Sequence, residues 1–295
     1  MKEYKAIFKN IDCFDLKQTF TCGQCFRWHE NKDSSYTGVI KDGVLNVAKK
    51  DLDVVVTGLF DESIGQQGFE TATRHYLDLD RDYKAIQKQL SKDDKSLKEA
   101  ISYGEGIRIL NQDPWEMLIS FITSACNNIP RISKTIENIS KVFGKRVVSQ
   151  KEPQNEALRG EFYLFPSPEE LKRASMEELR ACNLGFRDKY VYDATRSVLE
   201  GKLSLERLQE AEYSDAKAEL LELNGVGSKV ADCILLFSCG KTEAFPVDTW
   251  IKKIMNELYI ESKDVKKIEQ FAHQKFGKYG GIAQQYLFYY KRETS

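Results

Sequence analysis

The chain has 295 residues, enough for two modest domains that each bury a core without help from a metal or a disulfide. Its formal net charge of -1 at pH 7 lacks the basic excess typical of nucleic-acid-binding proteins, although a basic face can exist if acidic residues gather elsewhere. No run of about 18 apolar residues occurs, so we expect a protein that does not bind membranes. The seven cysteines are scattered along the sequence, which predicts reduced thiols in an intracellular protein. The expected compartment is the cytoplasm in a bacterium or the nucleus in a eukaryote.

The first 60 or so residues predict an antiparallel sheet. Segments 4–8, 35–41, 44–48 and 54–59 are rich in β-branched and aromatic residues. Asp42 and Gly43 separate two of these segments, and this dipeptide is favoured in two-residue hairpins because both positions can take positive φ. We therefore expect a sheet domain with a trailing helix over residues 1–85.

From about Gly65 the apolar residues recur with a helical period, so most of the remaining chain should be helical. Asp113 to Glu116 is a clear helix start, with Asp113 as cap, proline at the first helical position and Glu116 able to close a capping box. Apolar residues after it fall on one helical face. Ser167 and Ser175 give the same start signal, whereas the polar segment 145–161 predicts a surface connection within the helical region. The predicted fold class is α+β, with a mostly helical region over residues 86–295.

Residues 216–240 predict two helices joined by a glycine hairpin. Gly225 and Gly227 flank a single valine, which permits a tight turn followed at once by the positive end of a helix dipole. Such a turn can bind phosphate. For an isolated G-x-G between helices, an ordinary helix-helix turn is the commoner outcome.

A second signal follows at residues 246–248, where Pro-Val-Asp delivers one carboxylate to the start of another helix. Taken singly, each residue has a purely structural alternative: Asp248 as a helix cap, and Lys229, just after the glycine hairpin, as a solvated surface lysine. Together they offer an amine and a carboxylate that can serve nucleophilic catalysis.

The glycine hairpin, Lys229 and the Pro-Val-Asp segment resemble the helix-hairpin-helix signature of the DNA glycosylase superfamily, with lysine where its bifunctional members have it. Further segments, in the same order, resemble the 8-oxoguanine DNA glycosylases: residues 14–16, 23–28, 112–132, 184–191 and 283–288. The iron-sulfur loop of some relatives is absent, since the last cysteine is Cys239. The resemblance spans most of the chain and implies an enzyme that flips 8-oxoguanine out of duplex DNA, excises it and then cleaves the strand as an AP lyase.

The resemblance assigns catalysis to two residues. Lys229 would attack C1′ of the sugar and form a Schiff base that permits β-elimination, while Asp248 would stabilise the positive charge developing on the sugar. The last helix would complete the base pocket. The five implied pocket residues are Gly23 (its carbonyl accepting N7-H), Cys233 (facing the base), Phe237 (where a methionine is usual), Gln284 (reading the Watson-Crick edge) and Phe288 (stacking).

The same resemblance implies a set of DNA contacts: Asn127 and Asn128 in a DNA-facing segment, Arg131 and Arg187 on the orphaned partner base, Phe186 as a wedge, Gly225 and Gly227 on phosphate, and Trp250 where a phosphate-binding histidine is usual. Cys126 replaces a family asparagine that contacts the opposite cytosine, and this replacement predicts a relaxed opposite-base preference. Phe288 and Cys233 could instead be packing residues, and the arginines plain surface charges.

No metal or other cofactor is expected to be required. The three histidines show no metal-ligand spacing, and Cys22 and Cys25 have no second ligand pair. A structural cation at the hairpin remains an open expectation, and we expect a monomer. Two other functions stay open: a superfamily relative acting on another damaged base, and a non-catalytic DNA-binding module that uses the hairpin as a phosphate clamp.

Overall fold

The computed structural model describes residues 1–294 and begins with a five-stranded antiparallel sheet. The strands are β1 (Lys2–Phe8), β2 (Trp28–Glu30), β3 (Tyr36–Ile40), β4 (Gly43–Lys50) and β5 (Asp53–Phe60). Their order is β1-β5-β4-β3-β2, and every neighbouring pair is antiparallel. The predicted sheet is confirmed. The sequence pattern missed β2, because three residues are too few to show an alternation.

The turn between β3 and β4 differs from the prediction by one residue. Ile40 pairs with Gly43, so the loop consists of Lys41 and Asp42. Neither Asp42 nor Gly43 has a positive φ, and the expected conformation was therefore wrong. Glycine is needed at 43 for another reason: a Cβ there would lie 2.3 Å from the carbonyl oxygen of Leu59 on β5.

Helices make up most of the remaining structure. Within residues 1–294 they are α1 (Leu16–Thr21), α2 (Gly65–Tyr76), α3 (Tyr83–Leu90), α4 (Lys95–Tyr103), α5 (Pro114–Thr123), α6 (Ile129–Phe143), α7 (Pro168–Leu171), α8 (Met176–Leu179), α9 (Asp188–Leu199), α10 (Leu205–Glu210), α11 (Tyr213–Leu221), α12 (Ser228–Ser238), α13 (Thr249–Leu258), α14 (Val265–Phe276) and α15 (Gly280–Thr294). The α+β class and the change to helix at Gly65 are confirmed. Residue 85 falls inside α3, and a domain division there stays a prediction.

Helix α5 is more deeply buried than the sequence pattern indicated. Asp113 caps it as predicted, accepting from the backbone N-H of Glu116. Every residue from Trp115 to Thr123 is buried, because α6, α9 and α12 all pack against this helix. The single apolar face was therefore too narrow a prediction. Glu116 closes no capping box, since its carboxylate lies 3.6 Å from the Arg27 guanidinium instead. The capping boxes at Ser167 and Ser175 are both present.

The polar segment 145–161 returns to the sheet, which corrects the prediction of a connection confined to the helical region. Val147 and Leu158 form a small core with Val44 and Leu59 on the outer face of the sheet. The N-terminal ammonium group donates to the carbonyl oxygen of Val148 at 2.6 Å. The sequence could not show this docking, because an irregular segment carries no period from which to read a buried side.

The buried residues form two large hydrophobic cores. One lies between the sheet, α1 and α2, and the larger one is enclosed by the helices that follow. Tyr286 on α15 accepts a hydrogen bond from Gln87 Nε2 at 2.9 Å, and Gln285 Nε2 lies 3.3 Å from Cys22 Sγ. The last helix therefore lies directly against the loop that follows α1. Among the helices of residues 1–294, none is both long and apolar enough to cross a membrane.

Candidate active site

The predicted glycine hairpin joins α11 and α12. Gly225 has a φ of 86°, in the left-handed region that favours glycine, and a Cβ there would lie 2.6 Å from Cγ of Tyr190. Gly227 caps α12 with a φ of -97°. Neither glycine N-H has an acceptor within residues 1–294. These free donors at a helix N-terminus form a suitable surface for an anion such as a phosphate.

Lys229 lies on the first turn of α12 and points towards the end of α5. Its Nζ donates to Ser124 Oγ at 3.2 Å and lies 5.2 Å from the centre of the Phe121 ring. The side chain is half-buried and accompanied by an aromatic face, so it is not a freely solvated lysine. Its amine is held in one place inside the protein.

Asp248 is the N-cap of α13. Its Oδ1 accepts a hydrogen bond from the backbone N-H of Ile251 at 2.8 Å. Oδ2 accepts none from the part of the chain that the structure describes, and no ion pair within 4 Å joins Asp248 to Lys229 there. One carboxylate oxygen thus fixes the helix start while the other is available.

A pocket of about 60 Å³ brings Lys229 and Asp248 together with all five predicted pocket residues. Its lining consists of Gly23, Phe121, Lys229, Cys233, Phe237, Pro246, Asp248, Gln284, Gln285 and Phe288. This space is smaller than the roughly 300 Å³ of a typical ligand pocket, and we expect side chains to move when a purine enters.

Gln284 and Cys233 contribute uncharged polar groups to this pocket. Gln284 is only 4% exposed, and its Oε1 has no hydrogen-bond partner in residues 1–294. A buried acceptor without a partner costs about 1–3 kcal/mol, which a donor on a ligand could offset. Burial raises the pKa of the Cys233 thiol to about 11, against the opposing effect of Lys229, so Cys233 presents a neutral S-H.

Gly23 reaches the pocket from the loop after α1, with a φ of 93°. The loop is held by Gln24, whose Nε2 donates to the Arg108 carbonyl at 2.7 Å and whose Oε1 accepts from Leu110 N-H at 2.9 Å. Cys22 and Cys25 are both buried, and burial raises both thiol pKa values, that of Cys22 to about 11. Neither is a thiolate suited to redox or metal chemistry.

The predicted DNA-contacting residues lie outside the pocket. Phe186 and Trp250 are 56% and 42% exposed, although such large side chains are usually buried. Arg131 is exposed on the first turns of α6. Asn128 is the N-cap of that helix, and Asn127 donates to the Thr123 carbonyl at 3.1 Å.

Arg187 packs against the backbone around Cys126, beside these residues. Arg187 is buried and donates to the carbonyl oxygens of Ala125 and Cys126, while its guanidinium stacks on Phe186 at 4.4 Å. Cys126 is exposed and has a φ of 50°, a conformation that asparagine tolerates better than cysteine. Arg187 Nη1 also donates to the Leu184 carbonyl at 3.2 Å, so most of the guanidinium N-H groups are already engaged within the protein.

Sequence reasoning did not assign four residues that the structure places at the site: Phe121, Ser124, Pro246 and Gln285. Each lies within or beside a segment that carried the family resemblance. Their roles depend on which helix face meets the pocket, and only packing decides that. In residues 1–294 no group of three or more His, Cys, Asp or Glu could hold a metal ion, and a cation at the hairpin stays a prediction.

Two family models match consecutive parts of the chain. The model of the 8-oxoguanine DNA glycosylase N-terminal domain matches residues 6–118. The model of the HhH-GPD superfamily of base excision DNA repair proteins matches residues 119–278.

Individual proteins are similar to this chain over nearly its full length. The N-glycosylase/DNA lyase OGG1 of Arabidopsis thaliana is 32% identical, over 92% of this chain and 76% of that protein. The N-glycosylase/DNA lyase of Saccharomyces cerevisiae is 29% identical, over 96% of this chain and 84% of that protein. The crystal structure of the Clostridium acetobutylicum 8-oxoguanine glycosylase/lyase, bound to double-stranded DNA with cytosine opposite 8-oxoguanine, has a TM-score of 0.90 and 42% identity, over 99% of this chain and 96% of that one.

Proposed function

Because this chain belongs to the 8-oxoguanine DNA glycosylases of the HhH-GPD base excision repair superfamily, we propose that it excises 8-oxoguanine from duplex DNA and cleaves the strand at the resulting site. The family predicted from the sequence is confirmed by these matches. The observation that carries the proposal is the single pocket in which Lys229, Asp248 and the predicted base contacts meet.

The chemistry starts at the sugar of a flipped nucleotide. Lys229 Nζ, as the free amine, attacks C1′, and the bond to the base breaks with its electron pair leaving on the base. Asp248 faces the positive charge that develops on the sugar in this step. Ring opening then yields a Schiff base. Removal of a proton from C2′ expels the 3′ phosphate, and hydrolysis of the remaining imine releases the lysine.

The uncharged part of the lining, away from Lys229 and Asp248, suits a guanine-type base. Phe288 and Cys233 would hold its two faces, and the buried Gln284 Oε1 would accept from N-H donors of its Watson-Crick edge. The Gly23 carbonyl would accept N7-H, a donor that 8-oxoguanine has and guanine lacks. Phe237 and Phe121 stack on each other at 5.6 Å and would form the inner wall.

The surrounding surface would bind the duplex. The free N-H groups of Gly225 and Gly227 would bind a backbone phosphate, and Phe186 would fill the space left by the flipped base. Arg131, Arg187, Asn127, Asn128 and Trp250 would contact the strands around it. With Cys126 in place of asparagine, we expect a relaxed preference for the opposite base.

All residues of the proposed site come from one chain, which supports a monomeric enzyme. Light scattering should give the mass of a single chain, and this mass should not change across a tenfold dilution. A stable dimer would contradict it.

Borohydride trapping tests the nucleophile. The protein is mixed with a duplex containing one 8-oxoguanine opposite cytosine, and borohydride reduces any Schiff base to a stable adduct. We expect an adduct with the wild type and with the control Lys202→Gln, an exposed lysine paired with Glu200, but none with Lys229→Gln. A trapped adduct in Lys229→Gln would reject Lys229 as the nucleophile. Absence of both adduct and base release in the wild type would reject 8-oxoguanine as the substrate.

A further inference from the structure

One cation beside the base pocket has no place in the chemistry described so far. Arg292 lies on the last turn of α15, one helical turn after Phe288. Its side chain is 21% exposed, and its guanidinium lies 5.5 Å from the ring centres of both Phe288 and Tyr289. Such a distance is within the range of cation-π attraction.

Arg292 also holds the loop that carries Gly23. Its Nη2 donates to the carbonyl oxygen of Thr21 at 2.7 Å, at the end of α1 where helix carbonyls lack internal partners. Its Nε donates to Glu293 at 3.0 Å. Two of the three guanidinium nitrogens are therefore engaged, and the plane of the group is fixed.

The third nitrogen, Nη1, is the one beside the pocket. A Cβ built on Gly23 would lie 3.6 Å from Nη1 and equally 3.6 Å from Cε1 of Phe288. Nη1 donates no hydrogen bond within residues 1–294. A fixed cationic donor without a partner thus borders the position proposed to recognise N7-H.

8-Oxoguanine presents two groups side by side at this edge, the N7-H donor and the C8 carbonyl acceptor. A backbone carbonyl recognises the donor, but only a donor can recognise the neighbouring oxygen. Guanine has a C-H at C8 and offers no acceptor there. We propose that Arg292 is a specificity-determining residue whose Nη1 donates a charge-assisted hydrogen bond to the C8 oxygen, next to the Gly23 carbonyl.

This inference rests on the proposed function, because it needs 8-oxoguanine in the pocket. Its predicted effect is on base excision. A hydrogen bond from a charged donor to a buried acceptor is worth roughly 10- to 100-fold in rate or affinity. Lysine can supply one donor but neither the planar stacking nor the contact to Thr21, so Arg292→Lys should recover only part of the loss.

The experiment measures single-turnover excision of 8-oxoguanine opposite cytosine by the wild type, Arg292→Leu, Arg292→Lys and Lys291→Leu. Lys291 is the matched control, since it is the adjacent cation but pairs with Glu257 at 2.6 Å and not with the Gly23 loop. Borohydride trapping on a preformed abasic site, which contains no base, gives the active fraction of each preparation.

A second measurement separates contact from positioning. The lesion is labelled with ¹³C at C8 and bound by Lys229→Gln, alone and combined with Arg292→Leu, and the infrared band of the C8 carbonyl is compared. A direct hydrogen bond lowers that frequency, so we expect a lower band when Arg292 is present.

The outcomes are distinct. A loss of roughly 10- to 100-fold in Arg292→Leu, a partial loss in Arg292→Lys, little change in Lys291→Leu and the band shift together support the inference. Unchanged excision in Arg292→Leu would overturn it. So would a loss without a band shift, because Arg292 would then only position the loop. If the wild type itself leaves 8-oxoguanine in place, the proposed function fails instead.

Discussion

Asp248 combines two tasks at one position. The structure shows one of them, the cap on α13 through Oδ1, while the stabilisation of charge on the sugar by the other oxygen is proposed. A cap needs only an acceptor oxygen, whereas charge stabilisation needs a carboxylate. The two tasks can therefore be separated by substitution.

We expect Asp248→Asn to keep the stability of the protein and to lose activity. Asparagine caps helices as well as aspartate, so the free energy of unfolding should change by less than about 0.5 kcal/mol, while excision falls roughly 100-fold or more. Asp248→Ala should lose the activity and also about 1 kcal/mol of stability. Urea unfolding and single-turnover excision measure both. Full excision by Asp248→Asn would remove the carboxylate from the proposed mechanism.

The glycine hairpin shows how an element depends on backbone conformation. Its two glycines are equivalent in the sequence motif but differ in the structure. Gly225 has a positive φ and faces the Tyr190 ring, whereas Gly227 has an ordinary φ and open space around its Cα. Only the first position therefore favours glycine for its conformation and its lack of a Cβ.

Substitution of each glycine by alanine should therefore have unequal effects on stability. Gly225→Ala combines backbone strain with a Cβ 2.6 Å from Cγ of Tyr190, and we expect a loss of roughly 1–3 kcal/mol. Gly227→Ala loses only the preference for glycine over alanine at a helix cap, about 1 kcal/mol or less. Thermal and urea unfolding provide the comparison. Equal losses at the two positions would show that the close approach to Tyr190 is not a constraint.

At the scale of the whole molecule, a buried contact between Arg27 and Glu116 joins the sheet region to the helical region. Arg27 follows the Gly23 loop, and Glu116 lies on α5, with both side chains less than a tenth exposed. Arg27 Nη2 also donates to the Tyr163 carbonyl. Burial is the main cause that raises the pKa of Glu116 from 4.5 to about 7, with Arg27 opposing it.

This shift predicts a pH dependence of stability. The folded protein keeps the Glu116 proton at pH values where the unfolded chain has lost it, so this contribution is full below about pH 4.5 and is lost as pH rises to about 7. Glu116→Gln cannot lose the proton. Relative to the wild type, its free energy of unfolding should rise by roughly 2–3 kcal/mol between pH 5 and pH 8.

Urea unfolding at the two pH values checks this prediction, because the difference between them cancels the pH-independent cost of the substitution. Glu169→Gln, at an exposed position on α7, is the control, and its free energy of unfolding should differ from that of the wild type by the same amount at both pH values. If the difference in free energy of unfolding between Glu116→Gln and the wild type is also the same at both pH values, Glu116 is ionised throughout this range in the folded protein.

The class of fold, the glycine hairpin, the helix caps at Asp113, Ser167 and Ser175 and seven of the ten residues that line the pocket were all predictable from the sequence alone. These features are local or carried by ordered motifs: a cap needs residues three apart, and a hairpin needs glycine at fixed positions. The seven residues assigned to catalysis and the base pocket all line one cavity, although their roles stay proposals.

Other features follow only from how distant segments pack together. The burial of α5 on all sides, the docking of residues 145–161 onto the sheet and the position of Arg292 beside Gly23 each depend on contacts between segments far apart in the chain. No local period encodes such contacts, because they arise from the packing of whole elements. The pairing of Arg27 with Glu116 and the pKa shift that burial causes follow from the same packing.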